Sequence, residues 1–520
     1  MRWTLLKTCG VTGAVLAVTA GCHTDPHDGD QRDRSAVPAH HAPSDLAVHD
    51  TPGTPVSTSV GSDDWRMRHP ATEGQLEAYT TAASGTPGTE VGLKVSTTEA
   101  WYRVLAFRIG SYDGGTGTLV WRSSRLPGEQ QAAPTFAAYA TRTVVAPWRQ
   151  SVSVDTDGWS PGFYVFLLRT GSGWEQQVPY VVSSPSALGT VALVAPVTTW
   201  QAYNAWGGYS LYEGPPGDRR SWAVSFDRPY EGVGGLNDYH KAVVPLVVRA
   251  EALGVPLSYF ANVDLHGAPD RLEGARGYVS MGHDEYWTPG MRHAVVAARD
   301  AGTNLAFLGA NTMYWRIRLD DRHTGPLRLV TGYRHDAHLD PLREQRPAET
   351  TARYRDQPEP EPENAVTGVL YECYPVDTDY VVASPHWWGF AGTGVRAGTA
   401  IPGLVGGEAD RVYPDAATPR PLQVLSHSPY SCRGVATSAQ SVYYTADSGA
   451  GVFTAGTLRW ICALADLCDR SLGPRTRDFV RHVTDQLLRC YAGGPAGLRH
   501  PARDNLERFD LPTVNSVSAS

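Results

Sequence analysis

The chain has 520 residues, more than one ordinary hydrophobic core organises, so we expect two or three domains. Its formal net charge of −8 and the scatter of its lysines and arginines exclude a general nucleic-acid-binding protein, which needs a basic surface. Hydrophobic residues make up 42% and charged residues 19%, with 53 glycines and 38 prolines, a composition that favours a β-rich or α/β protein with long loops.

The first 22 residues have the pattern of an export signal. Arg2 and Lys7 precede an apolar run over residues 11–20, which is too short to span a membrane as a helix. The following "TAGC" resembles a bacterial lipobox, which would make Cys22 the acylated first residue of the mature protein. We therefore expect an exported protein that meets the membrane only through a lipid anchor, on the outer face of the bacterial cell membrane. Simple cleavage and secretion is the alternative.

The next two segments differ sharply in composition. Residues 23–64 carry almost no aromatic or large apolar side chains and cannot bury enough surface to fold, which predicts a disordered linker. Residues 65–185 contain short β-branched or alternating runs, such as "YRVLAFRIG" and "GFYVFLLRTG", separated by glycine, proline and aspartate turns. Regularly spaced short strands of this kind predict an immunoglobulin-like β-sandwich.

Residues 186–500 alternate between strands and helices. Buried strands are predicted from "GTVALVAPVTTW", "VPLSYFANVDL", "RLEGARGYVSMG" and "TNLAFLGANTMYW", and helices from "HKAVVPLVVRAEALG" and "TPGMRHAVVAARDAG". In the second helix Thr288 is the expected N-cap, and Gly302 lies at the end. This order predicts a doubly wound, flavodoxin-like parallel sheet, followed by a tail over residues 501–520.

Five cysteines remain in the body of the chain, and all lie in its C-terminal third. An oxidising compartment permits disulfides, but five leaves one unpaired, and the pairing cannot be read from sequence. Buried thiols are an equal alternative for the two that sit near an apolar helical run. The five are Cys373, Cys432, Cys462, Cys468 and Cys490.

The stretch "YVSMGHDEYW", residues 278–287, ends an apolar strand in His283, Asp284 and Glu285. Adjacent ionisable groups at the end of a buried strand are costly unless a partner compensates them. Chemistry in a doubly wound sheet gathers beyond the carboxyl ends of strands, and Asn311 follows another such end, so one crevice is expected. Alternation along an extended segment predicts that His283 and Glu285 share one face and that Asp284 points away. The alternative is a capping cluster for the following helix.

Two further features contribute tyrosines. "TTWQAYNAWGGYSLY", residues 198–212, follows a buried strand and is interpreted as a shaped aromatic loop at the same crevice, with ordinary aromatic packing as the alternative. Tyr164 lies within a predicted sandwich strand and, taken alone, is a core residue. The chain has no GxSxG elbow, no HExxH and no phosphate-binding glycine motif, so a metal site becomes the leading enzyme interpretation.

Four motifs in order, "TWQAYNAWGGYSLY", "GHDEYW", "FLGANTMYW" and "LVTGYRHD", resemble the large (beta) subunit of bacterial N,N-dimethylformamidase and its relatives, over residues 75–495. The resemblance implies a β-sandwich joined to a ThuA-like, glutamine-amidotransferase-like α/β domain. It also implies an amidohydrolase, acting on C–N bonds other than peptide bonds, with a mononuclear ferric ion held by two tyrosinates and one glutamate.

Carried over residue by residue, the resemblance implies Tyr164, Tyr203 and Glu285 as the metal ligands. Ferric iron, Fe(3+), is a hard cation that suits anionic oxygen donors. A phenol has a free pKa of about 10, so a strong local positive charge is needed to hold it ionised at neutral pH. Such an ion would polarise an amide carbonyl and lower the pKa of bound water.

The resemblance also implies roles for four catalytic residues. His283 or Glu408 would serve as general base, and Asn311 would orient the substrate or the oxyanion. Arg334 of "GYRHD" stands where the formamidase pattern has lysine, and the two side chains differ in geometry and in the ability to lose a proton. The expected partner is a small-molecule amide-like substrate, and a homo-oligomer or a small accessory subunit is left open.

Two other interpretations stay open. The first is a non-catalytic or carbohydrate-binding cell-surface protein on the same scaffold, whose tryptophans stack on sugars. Those tryptophans include Trp206, Trp287, Trp387 and Trp388. The second and weaker one is a divalent-metal site built from His283 and Glu285 without tyrosines.

Overall fold

The computed structural model describes residues 53–56, 60–231, 236–356 and 358–513. The predicted export signal, the lipidation of Cys22 and the linker up to residue 52 lie outside the described residues. None of the described helices combines the length and apolar character that crossing a membrane would require. The described part is β-rich with few helices, so the predicted mixture of sheets and helices is confirmed.

Two sheets between residues 54 and 182 share one core, and we call this part the two-sheet region. The larger sheet has, in spatial order, the strands Thr54–Pro55, Gly115–Arg122, Trp101–Tyr112, Gly162–Thr170, Glu175–Val182 and Ser84–Gly85, with Leu126–Pro127 paired to Trp101–Tyr112. The smaller sheet has Val152–Asp155, Glu90–Thr97 and Leu76–Thr80. Leu93 of the smaller sheet and Phe166 of the larger are both buried in the shared core. The short β-branched runs therefore form strands because one face of each is covered by the other sheet.

The predicted linker ends earlier than residue 64. Thr54 and Pro55 pair with the edge strand Gly115–Arg122, and Ser62 forms a further bridge to Gly117. A polar segment without large side chains can still satisfy the open hydrogen-bonding groups of an edge strand. Composition alone does not reveal that edge, which is why the boundary was predicted too late.

A seven-stranded sheet, here the central sheet, follows the two-sheet region. Its parallel strands are, in chain order, Val191–Ala195, Leu257–Ala261, Gly277–Ser280, Asn304–Phe307 and Gly451–Thr454. In space the second strand lies beside the first, and the third, fourth and fifth follow on the other side. Val442–Thr445 and Leu422–Val424 complete that edge with antiparallel pairing. Each of the four segments predicted as strands contains one of these strands, whereas the fifth was not predicted.

The helices confirm most of the predicted pattern. The α-helices are Val197–Tyr203, Val244–Ala252, Pro289–Asp300, Asn364–Thr367, Arg459–Cys462 and Pro474–Ala492, with a π-helical turn at Tyr239–Val243. Thr288 caps its helix as predicted, since its side chain accepts a hydrogen bond from the Met291 amide. The predicted strand "GTVALVAPVTTW" is wrong in its second half. Pro196 has no N–H to continue a ladder, and the chain turns into the helix Val197–Tyr203.

Small sheets and turns surround the central sheet. The paired strands are Thr135–Ala138 with Thr143–Val145, Ala223–Ser225 and Arg318–Arg322 with Gly325–Thr331, Tyr286–Trp287 with Trp315–Arg316, Leu370–Val381 with Ala400–Arg411, and Ser428–Cys432 with Val435–Ala439. Short 3₁₀ turns occur at Trp206–Gly208, Asn262–Leu265, Pro269–Leu272, Arg334–Leu339, Pro347–Glu349, Tyr354–Asp356, Trp388–Phe390, Ala496–Leu498 and Leu506–Arg508. Disulfides join Cys373 to Cys432 and Cys462 to Cys468, and Cys490 is a free thiol.

The predicted tail is folded as far as it is described, to residue 513. Asn505 accepts a hydrogen bond from the Val424 amide, and Leu506 is buried. Asp504 forms an ion pair with Arg420. These residues cover the edge strand Leu422–Val424, whose open amide groups give the polar segment a partner.

His240 makes the stability of the fold depend on pH. Its ring stacks on Trp65 at a centroid distance of 5.7 Å, and burial, helped by the charge of Arg66, lowers its pKa to about 4. Because the folded pKa lies below the unfolded value, the stabilisation is complete above about pH 6.5 and is lost as the pH falls towards 4.

We expect the free energy of unfolding to fall by at most about 3 kcal/mol over this window. Urea denaturation of the wild type and of His240→Gln at pH 7 and pH 4.5 measures the effect, and the variant should show the smaller decrease. The exposed His293→Gln is the matched control. An equal decrease in wild type and His240→Gln would contradict this interpretation.

Candidate active site

The carboxyl ends of several parallel strands place polar side chains around one cavity. The helix after the first strand ends in Tyr203, the loop after the third carries His283 and Glu285, and the loop after the fourth carries Asn311. All four side chains line a cavity of about 770 Å³. The predicted catalytic residues Arg334 and Glu408 line it as well. Chemistry at strand ends is the usual arrangement in open parallel sheets.

The helix Val197–Tyr203 fixes the loop that carries the acidic residue. Thr199 Oγ1 accepts a hydrogen bond from the Glu285 amide at 3.0 Å, and Thr198 Oγ1 donates to the Tyr286 carbonyl at 2.7 Å. The Glu285 carbonyl accepts from the Trp315 amide at 2.9 Å. The backbone of Glu285 is therefore held on two sides, which fixes the direction of its side chain.

The carboxylate of Glu285 is the centre of the site. Its Oε2 atom accepts hydrogen bonds from the hydroxyls of Tyr203 at 2.8 Å and Tyr212 at 2.6 Å. Its Oε1 atom accepts from Asn311 Nδ2 at 3.2 Å. The hydroxyl of Tyr286 donates in turn to that of Tyr212 at 2.8 Å. Two phenols thus converge on one carboxylate oxygen, and we call Tyr203, Tyr212, His283, Glu285 and Asn311 the Glu285 cluster.

His283 connects two acids. Its Nε2 lies 3.3 Å from Glu285 Oε2 and 3.1 Å from the Tyr203 hydroxyl, and its Nδ1 lies 3.6 Å from Glu408 Oε2. Burial alone would lower the pKa of His283, but the charge of Glu408 and the hydrogen bond to Glu285 raise it to about 10. The imidazole is therefore positioned to carry a proton between Glu285 and Glu408.

The acids of the site have different tendencies to ionise. Burial raises the pKa of Glu408 to about 8, although the charge of His283 opposes this. Burial also opposes ionisation of Glu285, but the hydrogen bond and charge of His283 and the charge of Arg334 hold its pKa below the usual value. Two carboxyls whose environments push their pKa values apart can divide acid and base roles.

Arg334 lies against the aromatic side of the cluster. Its guanidinium carbon is 3.8 Å from the ring centroid of Tyr212 and 4.8 Å from that of Trp315, and it donates to the Leu211 carbonyl at 2.5 Å. Contact of a guanidinium with an aromatic face is favourable and fixes both groups. Arg334 therefore holds Tyr212 in place and adds a positive charge next to Glu285.

Backbone strain is concentrated at this site. Asn311, Met313 and Arg334 have positive φ values of 57°, 64° and 60°, in the left-handed region that residues other than glycine rarely adopt. The Asn311 amide donates to the buried carboxylate of Asp410 at 2.8 Å, and the Met313 amide donates to the Asp284 carbonyl at 2.9 Å. Such strain persists where surrounding contacts over-determine the backbone, as they do at functional sites.

Tyr164 is not part of the Glu285 cluster, so the structure does not bring this predicted metal ligand together with Tyr203 and Glu285. It is fully buried in the core of the two-sheet region, stacked on Trp159 at a centroid distance of 4.9 Å. Its hydroxyl already donates to the Ser160 carbonyl at 2.6 Å. The side chain points between the two sheets because that strand alternates inward and outward, and this direction does not lead to the cavity.

Tyr212 occupies the position that was predicted for Tyr164. Tyr212 is the last residue of "TTWQAYNAWGGYSLY", which was interpreted as a loop at the crevice, but the motif alone does not distinguish Tyr212 from its other tyrosines. Residues 204–211 leave the helix and return, with left-handed glycines at Gly207 and Gly208, so two of the motif's three tyrosines, Tyr203 and Tyr212, reach the same carboxylate. Tyr286, which supports Tyr212, was likewise not identified from sequence.

Asp284 points away from the cavity. It is fully buried, and its Oδ2 atom accepts from Ser280 Oγ at 2.8 Å. Burial raises the pKa of Asp284 to about 7. His283 and Glu285 face the cavity together on the opposite side.

A buried arginine holds the segment between the two tyrosines. The guanidinium of Arg228 donates to four carbonyl oxygens, those of Gln201, Asn204, Trp206 and Tyr209. Arg228 is 1% exposed, and burial lowers its pKa to about 9. The carbonyls at the end of a helix lack partners within the helix, so this cation satisfies them. Arg228 is thus a positioning residue for Tyr203 and Tyr212.

The tryptophans considered for sugar stacking are largely core residues. Trp206, Trp287 and Trp387 are buried, and Trp388 packs on His500 at a ring-centroid distance of 5.1 Å. Trp206 donates from its indole nitrogen to Glu77. None of these four lines the cavity.

Within the described ranges, no group of three or more His, Cys, Asp and Glu side chains has the arrangement of a metal site. Oxygen donors of another kind are present, because Tyr203 and Tyr212 lie beside Glu285. Several buried polar atoms of residues that line the cavity also have no hydrogen-bond partner in the described part of the chain. Among them are His283 Nδ1, Asn311 Oδ1 and Glu408 Oε2.

Comparison with known proteins gives one extensive match. The family described as "N,N-dimethylformamidase beta subunit-like, C-terminal" matches residues 103–473, more than two thirds of the chain. The match covers strands of both the two-sheet region and the central sheet. Among curated proteins, no match was found.

One solved structure with a weak likeness is a cycloisomaltooligosaccharide glucanotransferase of Paenibacillus sp., complexed with cycloisomaltoheptaose. It is 12% identical, and the aligned part covers 25% of this chain and 18% of that enzyme, with a TM-score of 0.14. The chain therefore spans less than a fifth of that enzyme, and the likeness carries no argument about fold or activity.

Proposed function

Because the chain belongs to the N,N-dimethylformamidase beta subunit-like family, we propose that it is a metal-dependent amidohydrolase that cleaves a C–N bond in its cavity. One observation carries this proposal. The hydroxyls of Tyr203 and Tyr212 both lie within hydrogen-bonding distance of the Glu285 carboxylate oxygen Oε2. This oxygen is on the wall of a cavity large enough for a substrate. Such convergent acidic oxygens suit a hard cation.

Ferric iron fits the donor set of the Glu285 cluster. Tyr203, Tyr212 and Glu285 would hold it, giving two phenolates and one carboxylate. Burial and the charge of Glu285 raise the pKa of both phenols well above the usual value, so a strong positive charge is needed to ionise them. When bound, such an ion acts as a Lewis acid towards an amide carbonyl and makes bound water more acidic.

The remaining residues of the cavity have roles that follow from their positions. His283 would give a proton to the leaving amine, with Glu408 as its partner at Nδ1. Asn311 would orient the amide, since its Oδ1 atom is unpartnered among the described residues while Nδ2 is held by Glu285. Arg334 would stabilise negative charge beside Tyr212. The fixed positions of these groups favour the transition state without reorganisation.

The finer fold assignment is also proposed. The order second-first-third-fourth-fifth of the parallel strands supports a flavodoxin-like, ThuA-like sheet. The shared core of the two-sheet region supports an immunoglobulin-like sandwich. A flavodoxin-like sheet binds its ligands at the carboxyl ends of its strands, which agrees with the position of the Glu285 cluster.

Export is proposed from two independent features. The first 22 residues have a signal and lipobox pattern that would make Cys22 a lipid anchor. Two disulfides, Cys373–Cys432 and Cys462–Cys468, support an oxidising compartment. Mass spectrometry of the protein from its native host tests the anchor, and an unprocessed amino terminus would contradict it.

The reaction class is tested with iron-loaded protein and small amides, by measuring release of the amine. The variant His283→Gln should lower kcat by about 10²- to 10⁴-fold with iron content unchanged, because proton transfer is lost. His335→Gln is the matched control, since His335 lines the same cavity but packs on Trp315. Equal loss in both variants would contradict a proton-transfer role for His283, and no turnover of any amide would contradict the proposed function.

A further inference from the structure

Four consecutive residues of one strand face the active-site cavity. Residues 371–374, which we call the tyrosine wall, belong to the strand Leu370–Val381 and all line the cavity. In a regular strand only every second side chain would do so. The pairing of this strand with Ala400–Arg411 is irregular between Tyr371 and Cys373 and again between Cys373 and Val376. Bulges of this kind re-aim side chains and are common beside active sites.

Covalent and polar contacts hold the tyrosine wall in its irregular shape. Cys373 is bonded to Cys432 of the neighbouring hairpin, and both cysteines line the cavity. The carboxylate of Glu372 accepts hydrogen bonds from Arg411, Tyr413 and Thr437. Glu372 therefore holds the wall in place, and the rings of Tyr371 and Tyr374 line the cavity on either side of it.

The tyrosine wall is continuous with the reaction site. The ring of Tyr371 lies 5.3 Å from that of Tyr314, measured between centroids, and both line the cavity. Burial and the charge of Glu408 raise the pKa of Tyr371, and Glu408 and Glu285 line the same cavity. Tyr374 is 55% exposed and lines the cavity, so its ring is accessible to a ligand.

The cavity is too large for the simplest amide of this family. N,N-dimethylformamide has five non-hydrogen atoms, which occupy about 150 Å³ if each takes a water's share of liquid volume, about 30 Å³. The cavity of about 770 Å³ is several times larger. Sites of this volume bind molecules of drug-like size and bury most of their surface.

We propose that Tyr371 and Tyr374 form a subsite for a large aromatic or apolar substituent of the amide substrate. The proposal rests on the proposed amidohydrolase function and names the substrate class of that site. Flat apolar groups pack on tyrosine rings in offset or edge-to-face arrangements, and a rigid wall loses little conformational freedom on binding. The substrate is accordingly an amide with one bulky apolar group, on the acyl or the amine side.

The experiment compares kcat/KM across two series with the iron-loaded protein. One extends the nitrogen substituent from N,N-dimethylformamide to N-benzylformamide and N-(naphthylmethyl)formamide. The other extends the acyl group from N,N-dimethylformamide to N,N-dimethylphenylacetamide. We expect at least about a tenfold preference for the larger amide in one series. Tyr374→Ala and Tyr371→Leu should each lower that large-to-small ratio by about tenfold.

Tyr139→Ala is the control, because Tyr139 is 78% exposed and does not line the cavity, and it should leave the ratio unchanged. Tyr374 is mostly exposed, so its replacement should leave folding intact. Hydrolysis of small and large amides with equal kcat/KM would overturn the subsite while keeping the amidohydrolase. An unchanged large-to-small ratio in both tyrosine variants would overturn the subsite too. Binding of oligosaccharides in place of apolar amides would have the same consequence. Failure to hydrolyse any amide would instead contradict the proposed function.

Discussion

Replacing Glu285 with glutamine should lower kcat/KM for amide hydrolysis by about 10³-fold or more and abolish binding of ferric iron. The carboxylate is the common partner of Tyr203, Tyr212 and Asn311, and it lies 3.3 Å from His283. A neutral amide removes the anion that a trivalent cation needs. Iron content after gel filtration and kcat/KM for amine release measure both effects.

Asp284→Asn is the matched control for Glu285→Gln. Asp284 is the adjacent acid, is buried and faces Ser280 instead of the cavity. This variant should keep its iron, and its activity should stay within about tenfold of wild type. If Glu285→Gln bound iron as well as the wild type, the ligand set proposed here would be wrong.

Replacing Arg228 with methionine should destabilise the protein by about 3 kcal/mol and weaken iron binding. Four carbonyl oxygens around the end of the helix Val197–Tyr203 would lose their donor. Relief from burying a charge offsets part of this cost, because burial lowers the pKa of Arg228 to about 9. The loosened segment carries Tyr203 and Tyr212, so the affinity for iron should fall together with the stability.

Urea denaturation measures the loss of stability in Arg228→Met, and iron titration measures the loss of iron affinity. The exposed Arg103→Met on the two-sheet region is the control and should change neither. Arg228→Lys should recover part of the stability, since one ammonium reaches fewer carbonyls than a guanidinium fork. Loss of stability with an unchanged affinity for iron would contradict the positioning role and leave Arg228 purely structural.

The position of the site was predictable because parallel strands bring their carboxyl ends to one edge. Glu285 and Asn311 follow two different strands, and they meet at 3.2 Å. Tyr203 follows the first strand and reaches the same place, although the local structure there is a helix. Glu408 lies on the strand Ala400–Arg411. No periodicity in the sequence placed this strand at the cavity, and only the family resemblance suggested Glu408 as a site residue.

The second tyrosine could not be chosen from sequence. Tyr164 lies in a continuous apolar run that fits a core residue, and the resemblance outweighed that pattern. Tyr212 reaches Glu285 only because Arg228, Arg334 and two left-handed glycines bend the segment back. Those contacts are tertiary, so no local sequence pattern around residue 212 predicts them.

The linker boundary was predicted too late for a related reason. Residues 54–55 lie in a stretch poor in large apolar groups, and composition therefore predicted a linker. This segment instead pairs with the edge strand of a sheet through its backbone, and residues 504–506 likewise cover a sheet edge through polar side-chain contacts. The fifth parallel strand, Gly451–Thr454, was missed because a long excursion separates it from the fourth strand.

Coordination of ferric iron by Tyr203 and Tyr212 is tested by the visible absorption spectrum of the purified protein loaded with ferric iron. Phenolate coordination gives ferric iron a charge-transfer band in the visible range. We predict a coloured wild type, a weakened and shifted band in Tyr203→Phe and in Tyr212→Phe, no band in the double variant, and an unchanged band in Tyr164→Phe. A colourless wild type with iron supplied, or a band that depends on Tyr164 and not on Tyr212, would contradict the account.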